Sequence, residues 1–313
     1  MIQRAFFFSL ALLLLGLAPS QAAEPPLKVT ASFTVLADIV SQIGGDRVAV
    51  SALVGPGADA HSFQPSPRDA QTVLGADLVV LNGLGFEGWS NRLIKASGYK
   101  GPIIEAAAGI KPREMPKHAH GHAHGHDHAH GKSSKQGPVQ DPHVWNSMPH
   151  AQSLARTIGA ALSAARPAEA AYFAQRTEDY VARLAALDAF ARAEIAKLPP
   201  NRRKAITSHD AFGYLAAEYG LTFLSPVGVS TESEPSAAGV ARLIRQIKAE
   251  KIPAIFVENI SDPRLAQQIA RDSGAKIGGL LYSDSLSAAD GPASSLERMF
   301  RRNIETLVAA LKP

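Results

Sequence analysis

The sequence contains no cysteine. That excludes disulfides, thiolate metal ligands, a cysteine nucleophile and the lipid-accepting cysteine of an exported bacterial lipoprotein. Any bound metal is left to imidazole and carboxylate. Charge of one sign is scarce too. Lys and Arg number 32 against 28 Asp and Glu, leaving a formal +4, and no basic run is long enough to make a nucleic-acid patch. Beyond the N-terminus no apolar run approaches the ~20 residues of a membrane helix. Histidine is rare outside one stretch. Of 11 histidines, only His61, His143, His150 and His209 stand alone. The others, His118, His120, His122, His124, His126, His128 and His130, alternate with small residues in one run.

What is present begins with an export signal. Arg4 supplies a positive start, the stretch 5–17 is nearly all apolar, and Ser20-Gln21-Ala22 offers small residues where a signal peptidase cuts. Residues 1–23 are therefore read as a signal peptide. The mature protein is expected in a periplasm, not as a lipoprotein, and loss of Arg4 lowers the formal charge from +4 to +3.

Hydropathy then alternates between strand-like and helical periods. Strands are expected over 27–32, 47–54, 77–81 and 102–105, with helices over 35–43, 67–74 and 86–96. Residues 107–140 lose all periodicity and read as a mobile surface loop carrying the histidine run. Helices over 149–165 and 167–198 follow, the second ending at Pro199-Pro200. From 204 the alternation resumes, with strands over 205–207, 221–224, 254–257 and 276–281 and helices over 211–219, 236–250, 263–273 and 294–311. The expected fold is α/β. Two similar lobes, each a mostly parallel sheet with flanking helices, are joined by one long linking helix. The expected divisions are an N-terminal lobe over 24–165 (including the loop), the linking helix over 166–199 and a C-terminal lobe over 200–313.

Four residues fall where chemistry is expected in such a fold. His61, His209 and Asp284 each follow a predicted strand, and His143 follows the 107–140 excursion. Ligands of open parallel sheets bind in the crevice beyond the strand ends. Three imidazoles and one carboxylate suit tetrahedral zinc. A loop histidine is ordinarily a solvated residue, however, and no short spacing motif ties these four together. His150, beside Pro149, reads as an exposed or helix-capping residue.

Particular stretches carry a resemblance. Gly57-Ala58-Asp59-Ala60-His61 with Gln64-Pro65-Ser66-Pro67, Asn82-Gly83-Leu84-Gly85-Phe86-Glu87 and Asp141-Pro142-His143-Val144-Trp145 lie in the first half. Ser208-His209-Asp210-Ala211-Phe212-Gly213-Tyr214, Glu234-Pro235-Ser236, Phe256-Val257-Glu258 and Tyr282-Ser283-Asp284-Ser285-Leu286 lie in the second. Together they resemble the periplasmic solute-binding component of zinc and manganese ABC importers, the cluster A-I or ZnuA type, over essentially the whole mature chain.

The resemblance implies a non-enzymatic protein that captures Zn(II) between two lobes on His61, His143, His209 and Asp284. It implies delivery to an inner-membrane ABC permease with its cytoplasmic ATPase, with both lobe surfaces around the cleft touching the permease. A monomer is expected, with a periplasmic zinc metallochaperone as a further possible partner. Manganese members usually carry glutamate at the third position, whereas this chain has His209, which favours zinc. The family places a His-rich loop beside the cleft, so the histidine run is expected to be an accessory zinc collector or sensor. The long linking helix is expected to resist wide hinge closure.

The sequence also offers other patterns. Gly83-Leu-Gly85-Phe-Glu-Gly88 with Glu105 downstream meets the dinucleotide fingerprint in spacing. Export and its place in a later βα unit oppose it. Ser208-His209-Asp210 are sequence neighbours whose side chains diverge and cannot form a catalytic relay. The alternatives are an exported zinc-dependent hydrolase, in which three histidines would hold a zinc-bound water, and a metal buffer or adhesin-like protein without transport. Asp284 opposes the hydrolase by filling the position that water needs.

Overall fold

The computed structural model describes residues 24–113 and 140–313. The signal segment 1–23 and the run His118 to His130 lie outside the described residues.

The first sheet contains β1 (Leu27–Phe33), β2 (Val48–Val54), β3 (Leu78–Leu81) and β4 (Ile103–Glu105), in the order β2-β1-β3-β4. All its pairings are parallel. The central strand β3 is buried at every position, while the edge strand β2 mixes exposed and buried residues. A parallel strand covered on both faces must be apolar throughout, which is why Leu78-Val-Val-Leu81 shows no alternation. The second sheet repeats this topology. Its strands are β5 (Lys204–Ile206), β6 (Thr222–Leu224), β7 (Ala254–Glu258) and β8 (Lys276–Leu281), in the order β6-β5-β7-β8 and again all parallel.

The first sheet is accompanied by α1 (Thr34–Gly44), α2 (Pro67–Leu74) and α3 (Ser90–Ser97). The helix α4 (Met148–Ala165) follows, and then α5 (Ala170–Ala196). The second sheet carries α6 (Gly213–Tyr219), α7 (Ala237–Glu250), α8 (Pro263–Ser273) and α9 (Leu296–Leu311). Local chemistry sets several boundaries. Ser66 and Asp69 form a reciprocal capping box at the start of α2, with Pro67 in its first turn. Asp262 caps α8, and Gly274 ends it in the left-handed conformation.

The expected helix over 86–96 begins four residues late, at Ser90. Gly83, Leu84 and Gly85 all have positive φ, a run that no α-helix can contain. The buried Glu87 carboxylate holds this turn, accepting from the Asn82 and Gly83 amides and the Ser32 hydroxyl. A side chain at Gly83 would meet Glu105. The glycines of the apparent dinucleotide fingerprint thus shape a turn filled by the protein's own carboxylates.

The long helix α5 has 27 residues, about 40 Å at 1.5 Å per residue. A 3₁₀ turn, Pro167–Glu169, precedes it where the sequence suggested continuous helix. Its buried positions, among them Phe173, Tyr180, Leu184, Leu187, Ala191 and Ile195, recur every three to four residues. It packs against α1, α4 and α9. One apolar cluster therefore runs through both halves, from Leu27 and Ile39 through Leu184 to Phe300 and Leu311. A smaller cluster of Ile206, Leu243, Ile247, Ile252, Ile255 and Ile269 lies under α7 and α8.

Candidate metal centre

The carboxyl ends of the two sheets face each other, and four side chains converge there. His61 leaves the loop after β2, and His143 immediately precedes the 3₁₀ turn Val144–Asn146 that leads into α4. His209 follows β5, and Asp284 follows β8. One donor atom from each lies within 4.8 Å of all the others. His143 and Asp284 are fully buried, His209 is 1% exposed, and His61 is the least enclosed at 6%.

The spacings carry chemical information. His61 Nε2 lies 3.3 Å from His143 Nε2 and 3.4 Å from Asp284 Oδ2. His209 Nε2 lies 3.1 Å from Asp284 Oδ2, and His143 Nε2 lies 3.6 Å from Oδ1. Donors placed tetrahedrally at 2.0–2.1 Å from one centre are separated by about 3.3 Å, and these are the bond lengths zinc takes. Among the described residues, both Asp284 oxygens and His209 Nε2 are buried without an aligned hydrogen-bond partner. Unsatisfied buried acceptors are costly, and a shared cation satisfies all of them together.

Two further carboxylates fix the imidazoles. His143 Nδ1 donates to Asp141 Oδ1 at 2.9 Å, and His209 Nδ1 is ion-paired with Glu258 Oε2 at 2.6 Å. A carboxylate can only accept, so each ring keeps its second proton on Nδ1 and turns the Nε2 lone pair inward. Asp141 is itself held by Arg113 Nη1 at 3.1 Å and accepts from the His143 amide. Glu258 Oε1 accepts from the Ser208 and His209 amides. Both residues lie inside the motifs quoted from the sequence, where neither has an expected role. The signal was an Asp two residues before a candidate histidine. Glu258, 49 residues from His209, left no local trace. Gly213 has a similar hidden purpose, since a Cβ there would come within 2.6 Å of Asp141 Oδ2. His150 stands apart from the cluster, half-buried, with Nδ1 2.9 Å from the Ser147 hydroxyl at the start of α4.

The electrostatics follow from this enclosure. Burial alone lowers the proton affinity of His143, but Asp284 and Asp141 outweigh it and raise its pKa to about 9. His209 is likewise raised well above the usual range, because Glu258 and Asp284 overcome its burial. Burial works to raise Asp284, yet His143 and His209 hold it well below the ordinary carboxylate value. The centre is a buried negative trap in which protons occupy the places a metal ion would take.

The orienting role of Glu258 gives a direct test. In Glu258→Gln the amide donates to His209 Nδ1, forcing its proton onto Nε2 and away from the productive tautomer. Metal affinity should fall about 10- to 100-fold with the fold unchanged. A competition titration giving wild-type affinity would contradict that role.

Two parallel-sheet α/β lobes, fused through a common core and closing on a buried three-histidine, one-aspartate cluster, define an extracytoplasmic solute-binding protein for a metal cation. The chain belongs to the family described as "ZnuA: Zinc-uptake complex component A periplasmic", whose profile matches residues 29–310. It is accordingly the periplasmic metal-binding component of an ABC transporter, with a membrane permease and ATPase as partners. Among curated relatives, it is 31% identical over 294 residues to the iron-binding protein YfeA of Yersinia pestis, covering 92% of this chain and 87% of that one. It is 31% identical to the manganese-binding lipoprotein MntA of Bacillus subtilis (93% and 92% covered). The solved structure of the periplasmic zinc-binding protein TroA of Treponema pallidum superposes with a TM-score of 0.82 at 28% identity, covering 93% of this chain and 100% of that one. No helix of the described residues is long and apolar enough to cross a membrane.

Proposed function

We propose that this protein captures Zn(II) on His61, His143, His209 and Asp284 and delivers it to its permease. The relatives are named for iron, manganese and zinc, so kinship leaves the metal open and the donor set must decide it. The observation that carries the reading is the convergence of three imidazoles and one carboxylate within 4.8 Å, with His61–His143 and the three His–Asp284 separations at 3.1 to 3.6 Å. Three nitrogen donors favour zinc over manganese, which prefers oxygen and six-fold coordination. Asp284 in the fourth position supports transport over hydrolysis, since it occupies the site a reactive water would need.

The histidine run is proposed as an accessory collector. The described chain leaves at Arg113 and returns at Gln140, where the Asp141 amide donates to the Arg113 carbonyl at 3.1 Å. Both ends of the segment therefore meet beside His143.

A calorimetric titration tests these points together. One tight zinc site is expected, with zinc preferred over manganese by at least about tenfold. Binding should release at least one proton near pH 7, because the raised imidazoles are charged before metal arrives. Apparent affinity therefore rises with pH up to about 9 and weakens as the solution is acidified. Deleting residues 118–130 should remove weak sites and spare the tight one. A preference for manganese, or loss of tight binding with the run, would overturn the corresponding assignment.

Release is proposed to proceed by local and small lobe movements. The shared apolar core and the hydrogen bonds Gly57 amide to Leu286 carbonyl and Leu286 amide to Thr34 hydroxyl support this. Metal-free and loaded protein should give nearly superimposable scattering profiles. A large lobe rotation between them would refute it.

A further inference from the structure

A recess of about 250 Å³ opens onto His61. Phe86 and Gln140 line one side, and Val229, Ser230 and Glu232 line the other. Of the four converging residues, His61 is the least enclosed and is the one that borders this recess. Behind His143 and His209 the centre is backed by close side-chain contacts. The Trp145 and Phe86 rings lie 5.3 and 6.0 Å from the His143 ring, and Asp141 and Glu258 back the imidazoles. An ion leaving past His61 must therefore pass the segment around 229–232.

That segment belongs to the long connection between β6 and α7, and one bond ties it across the cleft. The Thr231 hydroxyl donates to Asp59 Oδ2 at 2.6 Å, joining residues 172 apart in sequence. Asp59 also holds the His61 loop from within. Its Oδ1 accepts from the His61 amide at 2.9 Å, and its Oδ2 accepts from the Ser62 hydroxyl at 2.9 Å. One carboxylate thus fastens both the loop that carries His61 and the segment that faces it. A charge-assisted hydrogen bond at a half-buried site is strong enough to hold a short loop and weak enough to open thermally.

We propose that Thr231 is a positioning residue whose bond to Asp59 latches the recess, setting how fast metal enters and leaves without setting how tightly it is held. This deepens the zinc-capture reading and rests on it. The latch is formed by groups that do not touch the ion, so opening it lowers the barrier for entry and exit alike. The ratio of the two rates, which is the affinity, stays nearly constant.

The test compares the full chain with Thr231→Val, which keeps the shape and removes the donor, and Thr231→Ser, which restores the hydroxyl. Zinc release is followed by stopped-flow transfer to a chromogenic chelator, entry by direct mixing, and affinity by equilibrium competition. Circular dichroism establishes that each variant is folded. In Thr231→Val both rates should rise on the order of tenfold, the effect of losing one charge-assisted hydrogen bond. Affinity should change less than about twofold by the same reasoning, and Thr231→Ser should return both rates to wild-type values. Unchanged rates in a variant that still binds one zinc tightly would overturn the latch and leave the metal site standing. Faster release matched by equally weakened affinity, with entry unchanged, would also overturn it. Absence of a tight zinc site in the unaltered chain would sink the capture reading and the latch with it.

Discussion

Asp284→Ala should lower zinc affinity by more than about 100-fold, beyond the loss typical of a residue that merely orients a ligand. Asp284 touches all three imidazoles, at 3.1 to 3.6 Å, and supplies the only negative charge inside the cluster itself. Without it the centre offers three neutral nitrogens and no charge in direct contact with the ion, so the hydration a divalent ion loses on entry is much less fully offset. Asp284→Asn separates charge from shape. It keeps the volume, removes the charge and should lose nearly as much affinity. Thermal unfolding gives a second readout. Zinc at a thousand times its Kd stabilises the native protein by about 4 kcal/mol, and at that same zinc concentration the increment should fall to about 1.4 kcal/mol or less in both variants. Tight zinc binding by Asp284→Ala in a competition titration would remove Asp284 from the ligand set and leave the fourth position to water.

Trp145→Ala should cost about 3 to 5 kcal/mol of folding stability, the range for deleting a fully buried large aromatic side chain. Trp145 has no exposed surface. Its ring packs 4.8 Å from Phe33 and 4.9 Å from Phe86, and 5.3 Å from the His143 imidazole. Its Nε1–H donates to the Ser283 carbonyl at 2.7 Å, one residue before Asp284. A single side chain thus packs against His143 and fixes the backbone that carries Asp284. Metal affinity should therefore fall together with stability. Trp145→Phe keeps much of the packing and removes the inter-lobe hydrogen bond, so it should cost about 1 to 3 kcal/mol. Urea denaturation followed by circular dichroism checks both values. A loss below about 1 kcal/mol for the alanine variant would show that the cavity collapses and that Trp145 does not hold the lobes together.

Particular residues show why the fold was legible. The strands at 78–81 and 254–258 are short and apolar because both of their faces are covered, and that pattern survives in the sequence. The helices at 67–74 and 263–273 begin and end on capping residues, and their predicted bounds coincide with those observed. The helix expected from 86 begins only at Ser90 because the Glu87 carboxylate turns back onto the Asn82 and Gly83 amides and holds 86–89 as a turn. Local propensity carries no record of a carboxylate that acts on the backbone from within the core.

By itself the sequence determined the alternation of strands and helices, the long helix between the two halves, and the restriction of metal chemistry to imidazole and carboxylate. These depend on residue type and on short periods along the chain, both of which can be read in one dimension. It also singled out His61, His143, His209 and Asp284, because each follows a strand or an irregular excursion. Only the tertiary structure decided that these four meet, with donor atoms within 4.8 Å of one another and almost without exposure. It also assigned Asp141 and Glu258 to their imidazoles, Trp145 to the junction of the lobes and Thr231 to Asp59. Each of these depends on where two parallel sheets point their carboxyl ends. That is set by packing both halves onto one core across long sequence separations, and no local pattern encodes it.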